Sequence, residues 1–204
     1  MIRLGVIDLR LNNLGSIVGC AKALKADVVV CRRPEDLPEV DRVIIPGVGG
    51  YRFAMDHLRD IGWDVCLQER VFAAETPVLG ICLGMHLLGQ AGFEGGTSGG
   101  LGQLAGTVRQ LEVGHLPLPH IGWDSVHHEN DPLFEGIPTG ADFYFAHSYG
   151  FSSDDCLGAI ATTFYGVSIP VAIRTGNVVG VQFHPEKSSK WGLHLIRNFL
   201  FGDA

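Results

Sequence analysis

The stretch VLGICLGMHLLG, from Val78 to Gly89, places a cysteine between two glycines at the end of an apolar run. The spacing Gly80-Ile81-Cys82-Leu83-Gly84, between a buried strand and a helix, is typical of a nucleophile elbow, where glycines permit a strained turn. A thiol there stands at a helix N-terminus, whose free N–H groups and dipole favour the thiolate. A core cysteine beside two packing glycines is the alternative, and so short a motif does not decide between them.

The residues before this elbow alternate short apolar runs with helical patterns, which indicates βαβ units and a parallel sheet. The predicted strands are Leu4 to Asp8, Asp27 to Cys31, Arg42 to Ile45 and Val78 to Ile81. The predicted helices are Leu14 to Leu24, Arg52 to Asp60 and Val65 to Ala74, with a further helix that begins at Leu83 and ends before Gly92.

The second half of the chain has a different pattern. From Thr107 to Gln182 the apolar runs are short, β-branched or aromatic, and Gly, Pro and Asp separate them, which predicts strands, many of them antiparallel. A closing helix is predicted from about Lys190 to Phe201. We therefore expect one α/β domain over residues 1–204, in three flavodoxin-like layers with a central mixed, largely parallel sheet and additional antiparallel strands in the second half.

Composition and charge exclude several classes of function. A hydrophobic content of 46% with 18% charged residues is typical of a globular protein. The net charge of −7 with scattered Lys and Arg argues against a nucleic-acid partner. No apolar run approaches the roughly 20 residues that span a bilayer, and the N-terminus does not resemble a cleavable signal, so we expect no membrane contact and a cytoplasmic location. The five cysteines form no C-x-x-C pair, the adjacent His127 and His128 are interpreted as surface or turn residues, and neither a metal nor a cofactor is expected.

A thiol nucleophile needs a base, and the segment VQFHPEK, from Val181 to Lys187, supplies one. His184 ends an apolar strand, and Glu186 lies two residues further on, where an extended backbone turns both side chains to the same side. Cys82, His184 and Glu186 could thus act as nucleophile, base and orienting carboxylate. A His-x-Glu pair alone is more often a chance pair on the surface without a catalytic function, but the cysteine elbow elsewhere in the chain favours the triad.

A third segment, IPGVGG from Ile45 to Gly50, follows a predicted strand. Its glycine-rich backbone could present N–H donors to an oxyanion, with the N–H of Leu83 as a second donor. An ordinary turn or a phosphate loop remain alternatives. The phosphate loop is the weaker one, because neither of the usual glycine-rich phosphate-binding patterns is present.

Together these segments resemble the class I glutamine amidotransferases. Six motifs in order along nearly the whole chain resemble, within that family, the glutaminase subunits of imidazole glycerol phosphate synthases. They are PGVG (46–49), GICLGM (80–85), GLG (100–102), PHIGWD (119–124), YFAHSY (144–149) and QFHPEKS (182–188).

The resemblance implies a mechanism. Cys82 would attack the side-chain amide of glutamine to form a γ-glutamyl thioester that water then hydrolyses, His184 would protonate the departing ammonia, and Glu186 would hold His184 in place. The implied oxyanion donors are Gly47, Val48, Gly49 and Leu83. The implied substrate-binding residues are Gly50, His86, Glu94, His147, Ser148 and Tyr149.

The resemblance also implies a partner. Ammonia would pass to a cyclase-type (β/α)₈ barrel subunit in a heterodimer, which closes the ring of imidazole glycerol phosphate and releases aminoimidazole carboxamide ribotide in histidine biosynthesis. Asn13, Trp123 and Lys187 fall where family members contact that barrel.

Two departures from the family pattern keep other functions open. His86 stands where the family usually has a substrate-binding glutamine, and the loop from Asp8 to Asn13 lacks the usual tyrosine and two glycines. The alternatives are a related subunit that supplies ammonia for sugar amination in surface polysaccharides, a free-standing thiol hydrolase, and a binding domain that has lost activity.

Overall fold

A computed structural model describes residues 1–10 and 14–202. The described residues form thirteen strands and five α-helices. Strands and helices alternate in the first half of the chain, and strands predominate in the second. The strands are β1 (Arg3–Ile7), β2 (Asp27–Cys31), β3 (Arg42–Gly47), β4 (Val78–Cys82), β5 (Ala91–Gly92), β6 (Ser98–Gly99), β7 (Thr107–Gln110), β8 (His120–His128), β9 (Ala141–His147), β10 (Tyr149–Phe151), β11 (Ala159–Tyr165), β12 (Val167–Thr175) and β13 (Val178–Val181). The helices are α1 (Leu14–Ala23), α2 (Tyr51–Asp60), α3 (Trp63–Cys66), α4 (Leu83–Leu88) and α5 (Ser189–Phe201).

A nine-stranded sheet in the order β2-β1-β3-β4-β13-β12-β11-β8-β9 forms the frame. Its first five strands are parallel, and each later neighbour pairs antiparallel. The predicted mixed α/β sheet is thereby confirmed. Because β3, β4 and β13 are adjacent and parallel, the segments that follow them meet at one edge of the sheet, where open α/β sheets bind ligands.

The sheet separates two apolar cores, as a three-layer fold requires. Every residue of β4 is buried, and its side chains reach both cores: Leu79 and Ile81 join the core under α1 and α5, whereas Val78 joins the core under α2, α3 and α4. Burial on both faces is typical of parallel strands covered by helices on both sides.

A small second sheet in the order β10-β7-β5-β6 is formed by the three strands that follow α4 in the chain, β5, β6 and β7, together with β10. The chain passes from β9 in the large sheet to β10 in the small sheet at Ser148. The predicted substrate-binding segment is therefore a crossing point between two sheets, and its backbone is fixed from both sides.

The structure corrects the sequence-based assignment in the second half. Residues His120–His128 form β8, a nine-residue strand that ends with His127 and His128. His127 is exposed, as expected of a surface residue, and His128 is half-buried, but neither lies in a turn. The pattern was weak because Ile121 and Trp123 are 61% and 53% exposed, so apolar residues do not mark a buried face there. The helix predicted from Val65 to Ala74 begins at Trp63 and continues as a π-helix over Leu67–Phe72.

None of the helices within the described ranges is long and apolar enough to cross a bilayer. The prediction of a single domain over residues 1–204 stays a prediction.

Candidate active site

Cys82 lies at a strand-to-helix elbow, as predicted. It is the last residue of β4 and immediately precedes α4, with φ 52° and ψ −110°, a strained conformation for a side chain other than glycine. The flanking glycines allow the close packing: a Cβ at Gly84 would collide with the carbonyl oxygen of Ile45, and one at Gly80 would come within 2.6 Å of Leu88 Cδ1. The short motif is therefore an elbow and not a core packing pair.

His184 and Glu186 complete a triad with Cys82. Strand β13 pairs directly with β4, which brings the residues after β13 to the elbow. The His184 Nδ1 lies 2.8 Å from Glu186 Oε1, and the side chains of both residues are at least 90% buried. Because Nδ1 donates this hydrogen bond to the carboxylate, Nε2 is the ring nitrogen left to interact with Cys82, whose side chain contributes to the raised pKa of His184.

The electrostatics of His184 favour its charged form. Burial lowers the pKa of its imidazole, but the hydrogen bonds and charges of Cys82 and Glu186 outweigh burial and raise that pKa to about 9. The imidazole thus carries two protons near neutral pH and can give one to a leaving group. The second oxygen of Glu186, Oε2, is buried and has no hydrogen-bond partner among the residues that the structure describes.

A cavity of about 330 Å³ opens over Cys82. This volume suits a small polar ligand. The predicted oxyanion and substrate residues in its wall are Val48, Gly49, Gly50, Leu83, His86, Glu94, His147, Ser148 and Tyr149.

Two backbone segments adjoin Cys82. Gly47 pairs in register with Cys82 at the end of β3, so the chain from Gly47 to Gly49 passes beside the elbow. Leu83 is the first residue of α4, and its N–H is one of the donors that a helix leaves unpaired. Both segments adjoin Cys82, and their function as an oxyanion hole stays a prediction.

Glu94 and His147 in the cavity wall are each held by a hydrogen bond to the backbone. Glu94 Oε2 accepts a hydrogen bond from the backbone N–H of Tyr51, at 2.8 Å, which attaches the carboxylate to the start of α2. His147 Nδ1 donates to the carbonyl oxygen of Tyr149, at 2.8 Å, and holds the turn around Ser148. Burial lowers the pKa of His147 to about 3, so this ring is neutral.

A further histidine, which the sequence did not single out, supports His147. The Nδ1 of His120 lies 3.3 Å from His147 Nε2, and its Nε2 lies 3.4 Å from Asp124 Oδ2. The His120 ring stacks on Tyr165, with centroids 4.0 Å apart. Burial lowers the pKa of His120, against the opposing effect of Asp124. This network links strand β8 to the substrate wall.

His86 contacts the nucleophile through Gln182. His86 Nε2 lies 2.7 Å from Gln182 Oε1, and Gln182 Nε2 lies 3.8 Å from Cys82 Sγ. Burial lowers the pKa of His86 to about 4, against the opposing hydrogen bond with Gln182, so the ring is neutral at pH 7. Gln182 was not predicted as a site residue, although it is the first residue of the motif QFHPEKS (182–188).

Comparison with known proteins identifies the family. The profile of the family described as "Glutamine amidotransferase class-I" matches residues 5–202. The chain belongs to this family. This amidotransferase is 40% identical over 197 residues to the imidazole glycerol phosphate synthase subunit HisH of Herpetosiphon aurantiacus, an alignment that covers 97% of this chain and 93% of the relative. It is 41% identical over 200 residues to the HisH subunit of Symbiobacterium thermophilum, with 98% and 93% of the two chains covered.

Solved structures agree on the fold of this amidotransferase. A crystal structure of a glutamine amidotransferase superposes with a TM-score of 0.76 at 22% identity and covers 97% of this chain and 96% of that one. A glutamine amidotransferase from Thermotoga maritima superposes with a TM-score of 0.71 at 18% identity and covers 98% and 96%. At these identities the likeness concerns the fold alone.

The residues predicted to contact a partner lie partly together on the amidotransferase surface. Trp123 on β8 pairs in register with Tyr144 on β9, and their rings meet edge to face with centroids 6.1 Å apart. The ammonium of Lys187 lies 5.5 Å from the centroid of the same Tyr144 ring. Asn13 lies outside the described residues.

Across residues 1–10 and 14–202, no group of three or more His, Cys, Asp or Glu side chains is arranged to hold a metal ion.

Proposed function

We propose that this chain is the glutaminase subunit of an imidazole glycerol phosphate synthase, which hydrolyses glutamine and supplies ammonia to a cyclase-type (β/α)₈ subunit. The observation that carries this proposal is the buried Cys82-His184-Glu186 triad at a nucleophile elbow. Relatives named as HisH subunits that are about 40% identical over 97–98% of the chain support the choice of synthase.

In the first step, the Cys82 thiolate attacks the side-chain amide carbon of glutamine. A C–S bond forms, and the carbonyl oxygen becomes a tetrahedral oxyanion. The N–H of Leu83 and a backbone donor from Gly47 to Gly49 stabilise this charge, because fixed donors cost no reorganisation when the charge develops.

In the second step, the C–N bond breaks and the proton on His184 Nε2 moves to the leaving nitrogen, which departs as ammonia. A γ-glutamyl thioester remains on Cys82. His184, now neutral, accepts a proton from water as that water attacks the thioester carbon. Glutamate leaves, and the thiolate and the imidazolium are restored. Glu186 keeps the imidazole oriented through its 2.8 Å hydrogen bond throughout.

Glutamine binds in the cavity across from the triad. The carboxylate of Glu94 attracts the α-ammonium group of the substrate, since a negative charge on the cavity wall complements it. The backbone of His147, Ser148 and Tyr149 supplies hydrogen bonds to the other end of the amino acid. The contact of His147 with Tyr149 keeps this backbone preorganised.

The synthase partner docks on the surface formed by Trp123, Tyr144 and Lys187. Aromatic residues and a cation stacked on one of them are typical anchors of a protein interface. Residues 1–204 act as one domain, in the cytoplasm and without a cofactor.

The test is glutamate release from glutamine by the purified chain, alone and with the cyclase subunit plus its ribonucleotide substrate. A rate that is low alone and rises greatly in the complex supports the proposal. High activity without a partner indicates a free-standing hydrolase instead. Absence of activity under both conditions, with a correctly folded chain, overturns the proposed glutaminase function.

A further inference from the structure

A buried hydrogen-bonded chain connects helix α4 back to the nucleophile. His86 follows Cys82 by one helical turn, and Gln182 enters from the neighbouring strand segment after β13. His86 is 4% exposed and Gln182 is fully buried, so water does not compete for these contacts. The distances are 2.7 Å from His86 Nε2 to Gln182 Oε1 and 3.8 Å from Gln182 Nε2 to Cys82 Sγ.

The direction of these hydrogen bonds follows from donor and acceptor chemistry. The amide oxygen of Gln182 only accepts, so the neutral His86 ring must carry its proton on Nε2 and donate it. This contact turns the NH₂ end of the same amide toward the sulfur. If His86 carried its proton on Nδ1, Nε2 would attract the NH₂ group, and the carbonyl oxygen would face the sulfur instead.

We infer that His86 is a positioning residue that fixes the Gln182 amide with an N–H group, and not its carbonyl oxygen, toward the Cys82 sulfur. The inference rests on the proposed function only in taking Cys82 as the nucleophile. A thiolate is stabilised by an N–H donor and destabilised by a carbonyl oxygen at the same place. His86 therefore acts on the nucleophile through Gln182, in addition to forming part of the substrate cavity.

This function differs measurably from substrate binding. If His86 only contacts glutamine, its replacement raises KM and leaves the chemistry of the free thiol unchanged. If it positions Gln182, its replacement lowers kcat and reduces the thiolate population without glutamine present.

The experiment measures the rate at which iodoacetamide alkylates Cys82 as a function of pH, followed by mass spectrometry of the peptide that contains it. This readout does not need glutamine turnover, so it tests the inference even if the proposed function fails. His86→Leu removes the donor, His86→Gln retains an N–H donor, and Leu87→Val shortens an adjacent buried side chain of the same helix as a packing control.

We expect His86→Leu to raise the midpoint of the alkylation profile by about one pH unit, which is the size expected for one hydrogen bond to a charged group. Below the midpoint, alkylation becomes about tenfold slower. His86→Gln should restore most of the wild-type rate, and Leu87→Val should leave the profile in place. The ionisable groups that border Cys82, namely His184 with Glu186, Glu94 and His147, are the same in all these variants.

A second variant keeps the inference testable if His86→Leu folds poorly. Gln182→Met removes the amide but preserves the length of the side chain, and it should produce the same shift. In the double variant His86→Leu, Gln182→Met the midpoint of the alkylation profile should shift no further than in either single variant, because both changes remove the same N–H contact with Cys82. A His86→Leu profile that superimposes on wild type or on Leu87→Val, or additive shifts in the double variant, would overturn the inference.

Discussion

Replacing Glu186 by glutamine tests the carboxylate that orients the base. The change keeps the shape of the side chain and an oxygen that can accept from His184 Nδ1, but it removes the negative charge 2.8 Å from that nitrogen. A hydrogen bond to a charged group contributes about 1.5–3 kcal/mol, so the imidazolium loses about one to two pH units of stabilisation. We expect the pKa of His184 to fall from about 9 toward its ordinary value.

The assay pairs two measurements on Glu186→Gln. The His184 ring resonances, followed by NMR over pH, report its pKa, and glutamate release by the complex with the cyclase reports kcat, which should fall by about 10- to 100-fold. Glu39→Gln, the same chemical change at an exposed glutamate, should alter neither. An unchanged titration of His184, or full activity in Glu186→Gln, would refute the assignment of Glu186 as the orienting carboxylate.

Three further predictions concern packing, the partner surface and pH. Gly84→Ala should destabilise the fold by about 1–3 kcal/mol or more in urea unfolding, because its Cβ overlaps a backbone carbonyl, whereas Gly19→Ala in α1 meets nothing within 4 Å and should not; equal effects would contradict the close packing at the elbow. Trp123→Ala should weaken binding to the cyclase by about 2 kcal/mol, roughly 30-fold, when the affinity is measured by calorimetry. Phe164 is 69% exposed, and Phe164→Ala should leave the affinity unchanged. Similar affinities for the two variants would show that Trp123 is not part of the interface. Burial lowers the pKa of His147 to about 3, so between pH 6.5 and pH 3 the ring is protonated in the unfolded chain and neutral in the folded one. Lowering the pH from 7 to 5 should therefore reduce the free energy of unfolding by about 2 kcal/mol, and His147→Asn should abolish this loss. An identical pH dependence of stability in the two proteins would exclude this account.

The local part of the fold could be predicted from the sequence because its signals are local. Strand β2, from Asp27 to Cys31, was predicted to the residue, and the starts of β3, β4, α1 and α4 were predicted as well. Buried parallel strands and amphipathic helices leave clear patterns. The glycines that flank Cys82 predicted the elbow, because the backbone segments approach so closely there that a larger side chain at either glycine would overlap its neighbours.

The contacts of the site between residues that are far apart in the sequence could not be predicted. His86 meets Gln182 across 96 residues, and His120 meets His147 across 27, so no spacing in the sequence links either pair. His86 was predicted to touch substrate, and the structure adds its contact with a neighbour of the nucleophile. Strand β8 was not recognised because two of its apolar side chains, Ile121 and Trp123, are exposed, and Trp123 belongs to the surface predicted to bind the partner.

The most direct test of the central claim uses Cys82→Ser in the complex with the cyclase. Formation of imidazole glycerol phosphate is measured with glutamine as the nitrogen source and, separately, with an ammonium salt. We predict that Cys82→Ser abolishes synthesis from glutamine and leaves synthesis from ammonium salt at the wild-type rate, because the cysteine serves only to release ammonia. Continued glutamine-dependent synthesis in Cys82→Ser, or loss of both activities in a correctly assembled complex, would contradict this division of labour.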